Sequence, residues 1–189
     1  MRLKTNYIFI LVVCFAFVLR IYNLNSSSLW WDEIIAINSS RFPADTIFQW
    51  TLYNEVHPPL FYFVLKIATY FNNSEFAFRI ISVIFGALSV VLLYIAASKA
   101  FGKRVGLYSA IVLSVFPYHL LLSRTPRPYA LMIDFEIICI IILIEYFKNR
   151  KITLLLALSF VNGVMCFIHY LGLFIVGAQG IFLLCLLFW

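Results

Sequence analysis

The chain has 189 residues, 64% hydrophobic and 12% charged, with a formal net charge of +6. A mean hydropathy of +0.99, carried in apolar runs long enough for the ~30 Å of bilayer hydrocarbon, excludes a soluble globular domain. The surplus lysines and arginines sit in short clusters between those runs and form no basic stripe with spaced aromatics, so they are topology signals and nucleic acid is excluded as a partner.

In chain order, the first apolar run covers residues 5–24 and follows Arg2 and Lys4. No small-x-small site follows it and Arg20 interrupts its end, so it reads as a retained signal-anchor helix and not a cleaved leader. Residues 25–75 form a long connection that opens on "NSSSLWWDE", in which Trp30 and Trp31 suit a water–bilayer boundary and Asp32 and Glu33 follow directly. Further on, "HPPLFYFVLKIATYF" at 57–71 is apolar but only 15 residues long, opens on two prolines and carries Lys66. It is too short to cross, and is expected to lie in the interface with Tyr62, Phe63 and Lys66 at headgroup depth.

Apolar runs at 76–98, 105–123, 128–147, 152–168 and 171–189 bring the expected crossings to six, an all-α, polytopic helical bundle bathed in membrane lipids. Three basic clusters fall on alternate connections: Arg2 with Lys4; Lys99, Lys103 and Arg104; Lys148, Arg150 and Lys151. The positive-inside rule places these and the N-terminus in the cytoplasm. The 25–75 connection and the "SRTPRPYA" link at 123–130 then share the extracytoplasmic face, so acids and bases distant in sequence meet at one surface. Cys14, Cys139, Cys166 and Cys185 all lie in apolar runs without metal-ligand spacing and are expected to be buried thiols.

Several residues carry chemistry on this reading. Asp32 is a candidate general base, a solvated loop acid or a helix N-cap. Arg127, held between Pro126 and Pro128, presents a preset guanidinium whose fork suits phosphate oxygens. Arg79 lies in an apolar run near its outer end, either facing a site or snorkelling to headgroups. His57 precedes two prolines, where a helix start explains it as well as a ligand role does. Tyr129 offers a hydroxyl or an aromatic-belt ring, Arg124 a loop charge, and Asp134 an intramembrane carboxylate that a buried arginine would pair. No Gly-rich nucleotide loop is present. No cofactor is certain; a divalent cation held by Asp32, Glu33 and His57, with Glu55 near, stays open, without the tight spacing of a strong metal motif.

The ordered set "LWWDE", "HPPLFYFVL", "SEFAFRIISVIFGALSVVLLYIAASKAFGKRVG" and "SRTPRPYAL" resembles the N-terminal part of the GT-C membrane glycosyltransferases, on the branch of the protein mannosyltransferases and the lipid A aminoarabinose transferase. The resemblance implies a GT-C bundle that transfers a hexosyl or pentosyl group, with inversion, from a polyprenyl-phosphate-linked sugar. The acceptor, a lipid, glycan or protein, would be met on the extracytoplasmic side. It implies Asp32 as the base and Glu33 as a weaker partner that holds geometry or pairs with an arginine. His57, Arg79, Arg127, Tyr129 and His169 would then contact substrates. Relatives continue through further helices, so residues 1–189 are expected to be an N-terminal portion, incomplete at the C-terminus. Two other classes compete: a non-catalytic membrane assembly subunit, and a small transporter, which would place charges at mid-membrane in paired broken helices.

Overall fold

The computed structural model describes residues 2–55 and 57–187, and side chains for 7–55 and 57–185. Among these residues every regular element is an α-helix: α1 Arg2–Ile21, α2 Trp31–Arg41, α3 Ala44–Asn54, α4 Leu60–Thr69, α5 Glu75–Phe101, α6 Lys103–Val115, α7 Pro117–Leu122, α8 Tyr129–Asn149, α9 Ile152–Ile168 and α10 Leu171–Leu187. The side chains of Arg2 and Lys4, and residues Phe188 and Trp189 of the last expected run, lie outside the described residues.

The bundle is organised around α5. Ser74 caps its start by accepting the Ala77 N–H at 3.3 Å, Glu75 favours the positive end of the helix dipole, and Gly102 ends it at φ +95°, a conformation side chains resist. Its 27 residues reach about 40 Å at 1.5 Å each. Among the described residues α5 is the one helix that is by itself long and apolar enough to cross a bilayer; the apolar stretches Tyr7–Ile21, Ile152–Ile168 and Leu171–Cys185 are shorter. Small buried residues on α5, among them Ala77, Ser82, Gly86, Ala87, Ser89, Ala96 and Ala97, let α1, α6 and α8 approach its backbone closely.

Three departures from the sequence reading have local causes. The first run leaves the helix at Ile21, and Asn23 turns the chain at φ 55°. The 105–123 run is not one helix: Pro117 has no N–H for the carbonyl four residues back, so α6 stops and α7 restarts with proline at its first position. Residues 57–71 carry an inward face that hydropathy did not foresee. Phe61, Tyr62, Leu65 and Ala68 of α4 are buried at helical spacing, and Lys66 donates to the Phe42 carbonyl at 2.6 Å.

Helices α2, α3 and α4 thus form a cap over one end of the bundle. Ala36, Ile37, Ile47, Phe61, Tyr62 and Leu65 of the cap share one core with Phe78, Leu131, Met132, Met165 and Ile168 from α5, α8 and α9. A smaller core of Ala16, Val90 and Ala110 marks where α1, α5 and α6 meet. Of the cysteines, Cys139 is buried and Cys166 half-buried, but Cys14 and Cys185 are exposed, on helices that turn Leu11, Phe15, Phe182 and Leu184 outward as well. At the far end of α5 the Lys99 ammonium pairs with Glu145 of α8, and Lys148 donates to the Lys99 carbonyl at 2.6 Å.

Candidate functional site

Asp32 and Glu33 occupy the first turn of α2, so their side chains diverge by about 100° around the helix axis and do different things. Glu33 is buried; its Oε2 accepts the Trp30 N–H at 2.8 Å, which satisfies an end-of-helix donor, and stands 3.7 Å from Arg79 Nη2. Asp32 points the other way. Its side chain is 69% exposed, with Oδ2 3.7 Å from Arg127 Nη2. The helix begins at Trp31 with Trp30 at the N-cap, so Asp32 is not the N-cap. Trp30 and Trp31 are each 74% exposed.

Arg127 is the hub. Its backbone is confined between Pro126 and Pro128, and the latter precedes the first turn of α8. The guanidinium is 91% buried, donates from Nη1 to the Asp32 carbonyl at 3.1 Å, and reaches His57 Nε2 from Nη2 at 2.7 Å. A guanidinium has no acceptor, so His57 Nε2 receives this bond and carries no proton. The His57 ring lies 4.4 Å from that of His169 and 6.1 Å from Tyr129, with Tyr129 and His169 5.6 Å apart.

His169 sits in the break between α9 and α10, where its Nδ1 accepts the Leu171 N–H at 3.0 Å. In the neutral ring Nε2 therefore holds the proton, and that buried N–H meets no hydrogen-bond acceptor among the described residues. Burial first, and the Arg127 cation second, push the imidazole below its ordinary value of 6.5.

Tyr62, read from the sequence as an interfacial ring, is 1% exposed and turns its hydroxyl toward Glu55 without closing a hydrogen bond. Burial and the Glu55 carboxylate hold the phenol firmly protonated, while Arg127 and Asp32 also act on it. The spacing of Phe61, Leu65 and Ala68 was the signal that this helix has an inward face; Tyr62 flanks it.

Asp32, Glu33, Arg127 and Tyr129 line one pocket of about 140 Å³, with Trp30, Leu121, Leu122 and Thr125. His57 and His169 stand behind Arg127. Arg79 touches this group only through Glu33: it is buried and donates to the carbonyls of Leu24 at 2.7 Å and Ser27 at 2.9 Å, so it neither snorkels nor faces Asp32. Among the described residues Asp134 pairs with no arginine; it accepts from Ser89 of α5 inside the bundle. Among the described residues no three His, Cys, Asp or Glu groups stand together as a metal set. Glu33 is turned to Arg79 and His57 to Arg127, so Asp32, Glu33 and His57 do not converge on one point.

A second Arg–His pair escaped the sequence reading. Arg20, used there only against cleavage, is fully buried and donates to Ala16 O at 2.8 Å, Ser114 O at 3.3 Å and Leu113 O at 3.4 Å, with Nη2 2.8 Å from His119 Nδ1. Leu113 and Ser114 lie in the last turn of α6 before the break; Pro117 offers the Leu113 carbonyl no N–H, and that carbonyl keeps the Phe116 N–H at 3.4 Å. A proline in an apolar run, with a lone arginine in another, was the signal.

Between α3, α4 and α9 runs an apolar groove of about 510 Å³ lined by Phe48, Pro59, Leu60, Phe63, Phe160 and Phe167. An adjoining pocket of about 230 Å³ shares Phe48, Pro59 and Phe167 and extends to Pro58 and Tyr170, the chain neighbours of His57 and His169. The groove therefore ends behind the Arg127 cluster.

No curated protein and no solved structure matches the chain. A family model does: that of the dolichyl-phosphate-mannose-protein mannosyltransferases, over residues 56–188. That span takes in α4 to α10 and includes His57, Arg79, Arg127, Tyr129 and His169. Matched over more than half its length, the chain belongs to the dolichyl-phosphate-mannose-protein mannosyltransferase family, whose members are membrane glycosyltransferases of the GT-C type.

Proposed function

We propose that this protein transfers a sugar from a polyprenyl-phosphate carrier to an acceptor hydroxyl at the extracytoplasmic face, with Asp32 as general base. The observation that carries the reading is the pairing of an open carboxylate, Asp32, with a buried guanidinium, Arg127, in one small pocket. In the reaction the acceptor oxygen bonds to the anomeric carbon while the bond from that carbon to the phosphate oxygen breaks. The hydroxyl proton passes to Asp32, and the bonding electron pair leaves with the phosphate. A base of this kind contributes ~10²–10⁴-fold. Arg127 lies where the leaving charge grows, in a site poor in water, and a fixed cation there acts far more strongly than in bulk solvent. His57 and His169 flank it, and Tyr129 closes the cluster. Attack from the face opposite the phosphate inverts the anomeric centre.

The apolar groove ending at Pro58 and Pro59 supports a prenyl chain as the carrier's anchor. Sidedness rests on charge: Lys99, Lys103, Lys148 and Lys151 fall at the ends of α5 and α8, or just beyond them, away from Asp32. Helices α1, α5, α6 with α7, α8, α9 and α10 are the six crossings.

The test is transfer of label from polyprenyl-phosphate mannose in membranes with and without the protein. Protein-dependent transfer to product of inverted configuration is expected. Retention of configuration, or label accepted from a nucleotide sugar and not from the lipid, contradicts the reading.

A further inference from the structure

A second cavity, of about 470 Å³, adjoins the pocket at Asp32 on the side of α1 and α7; the two share Trp30, Glu33, Leu121 and Thr125 as a common wall. Its volume lies in the ~300–1,000 Å³ range of small-molecule sites, whereas the pocket at Asp32, about 140 Å³, admits a reacting centre and no whole substrate. Two arginines line it, Arg79 and Arg124. The charge of Arg79 is answered by Glu33 at 3.7 Å and by two carbonyls. Arg124 is not answered. Among the described residues it makes no ion pair, and only Nη2 is engaged, at Tyr22 O (3.0 Å) and Asn23 O (2.8 Å), so Nε and Nη1 remain for a ligand. The cavity therefore carries a surplus positive charge beside a carboxylate suited to take a proton. Tyr22, Trp30 and Tyr118, all exposed around this end of α1 and α7, set its mouth at a water–bilayer boundary.

We propose that this cavity is the acceptor site and takes a lipid headgroup that carries a phosphate beside the hydroxyl to be glycosylated. The inference rests on the glycosyl-transfer reading above. The donor's chain lies in the apolar groove behind Arg127 and the acceptor's phosphate at Arg124, on opposite sides of Asp32. The acceptor hydroxyl then reaches Asp32 across the wall at Trp30 and Thr125.

The experiment uses the protein in neutral maltoside detergent, titrated with dihexanoyl phosphatidylglycerol and, separately, with uncharged dihexanoylglycerol. The emission of Trp30 reports binding, assigned by its loss in Trp30→Phe. The phosphate-bearing lipid is expected to shift the emission and the uncharged one to leave it unchanged. Binding should weaken about tenfold in Arg124→Gln, the size expected for a charge-assisted contact, and persist in Arg124→Lys, which keeps the charge. Equal responses to both lipids, or unaltered binding in Arg124→Gln, overturn the proposal. So does displacement of the phosphatidylglycerol by geranyl phosphate with the same dependence on Arg124, because the anion site then belongs to the donor. Asp32→Asn separates the two readings: transfer that survives this variant removes the base but leaves the lipid-binding result standing.

Discussion

His169 makes the charge state of the site testable at the scale of one residue. Folding holds its imidazole below the ordinary 6.5 because burial strips water from it and Arg127 opposes a second positive charge. The unfolded chain therefore binds more protons than the folded one as the medium turns acid. The stability held by neutral His169 is full above about pH 6.5 and declines as pH falls below that value toward the lowered folded one. Protonation also turns Nδ1 into a donor facing the Leu171 N–H, which removes the bond that starts α10. The unfolding temperature in detergent is expected to drop between pH 7 and pH 5, and His169→Gln to flatten part of that slope. An unchanged slope in the variant assigns the acid sensitivity elsewhere. Chemistry-bearing residues such as Asp32, Arg127, His57 and His169 were legible in the sequence, since a charge or imidazole at the rim of an apolar run is conspicuous. Their pairings were not. Nothing in residue spacing says that Glu33 turns inward to Arg79 while its neighbour Asp32 turns outward to Arg127; that follows from where α2 lands on the bundle.

Among the elements, the α6–α7 break is where a buried charge has structural work. Arg20 supplies donors to carbonyls in the last turn of α6, where Pro117 removes an N–H, and His119 of α7 and Ser123 at its C-cap complete the contact. Gly86 of α5 makes room for it: a Cβ there would stand 2.1 Å from Ser123 Oγ and 3.0 Å from Arg20 Nε. Arg20→Met leaves buried carbonyls unsatisfied and is expected to cost more than about 2 kcal/mol. Gly86→Ala should cost about 1–3 kcal/mol by overpacking. Thermal unfolding of both variants checks this, and an Arg20→Met protein as stable as wild type contradicts it. The apolar runs at 152–168 and 76–98 gave boundaries close to those observed for α9 and for the start of α5. The residues before α5 were harder, because α2 and α3 have weak apolar faces and fold against α4 and α5 more than by their own pattern.

At the scale of the whole molecule, the all-helical class follows from composition, while the stacking of a three-helix cap on one end of the bundle does not. Hydropathy sees solvent transfer and not partners, so it reads α4 as a surface helix when its apolar side closes a protein core. On the proposed orientation the cap lies outside the cell and the α5–α6 and α8–α9 turns inside. Single cysteines at Asp45 and Asn73 are therefore expected to react with a membrane-impermeant maleimide in intact cells, and those at Lys103 and Lys151 only after permeabilisation. The reverse pattern overturns the orientation.

The most direct measurement compares wild type with Asp32→Asn, at matched expression, for transfer of radiolabelled mannose from polyprenyl phosphate. The substitution keeps the shape of the side chain and the Arg127 contact to the Asp32 carbonyl, and removes the proton acceptor together with the charge it sets against Arg127. Transfer is expected to fall by ~10²-fold or more while the variant's unfolding temperature stays near wild type. Equal transfer by the two proteins contradicts the assignment of Asp32 as the base.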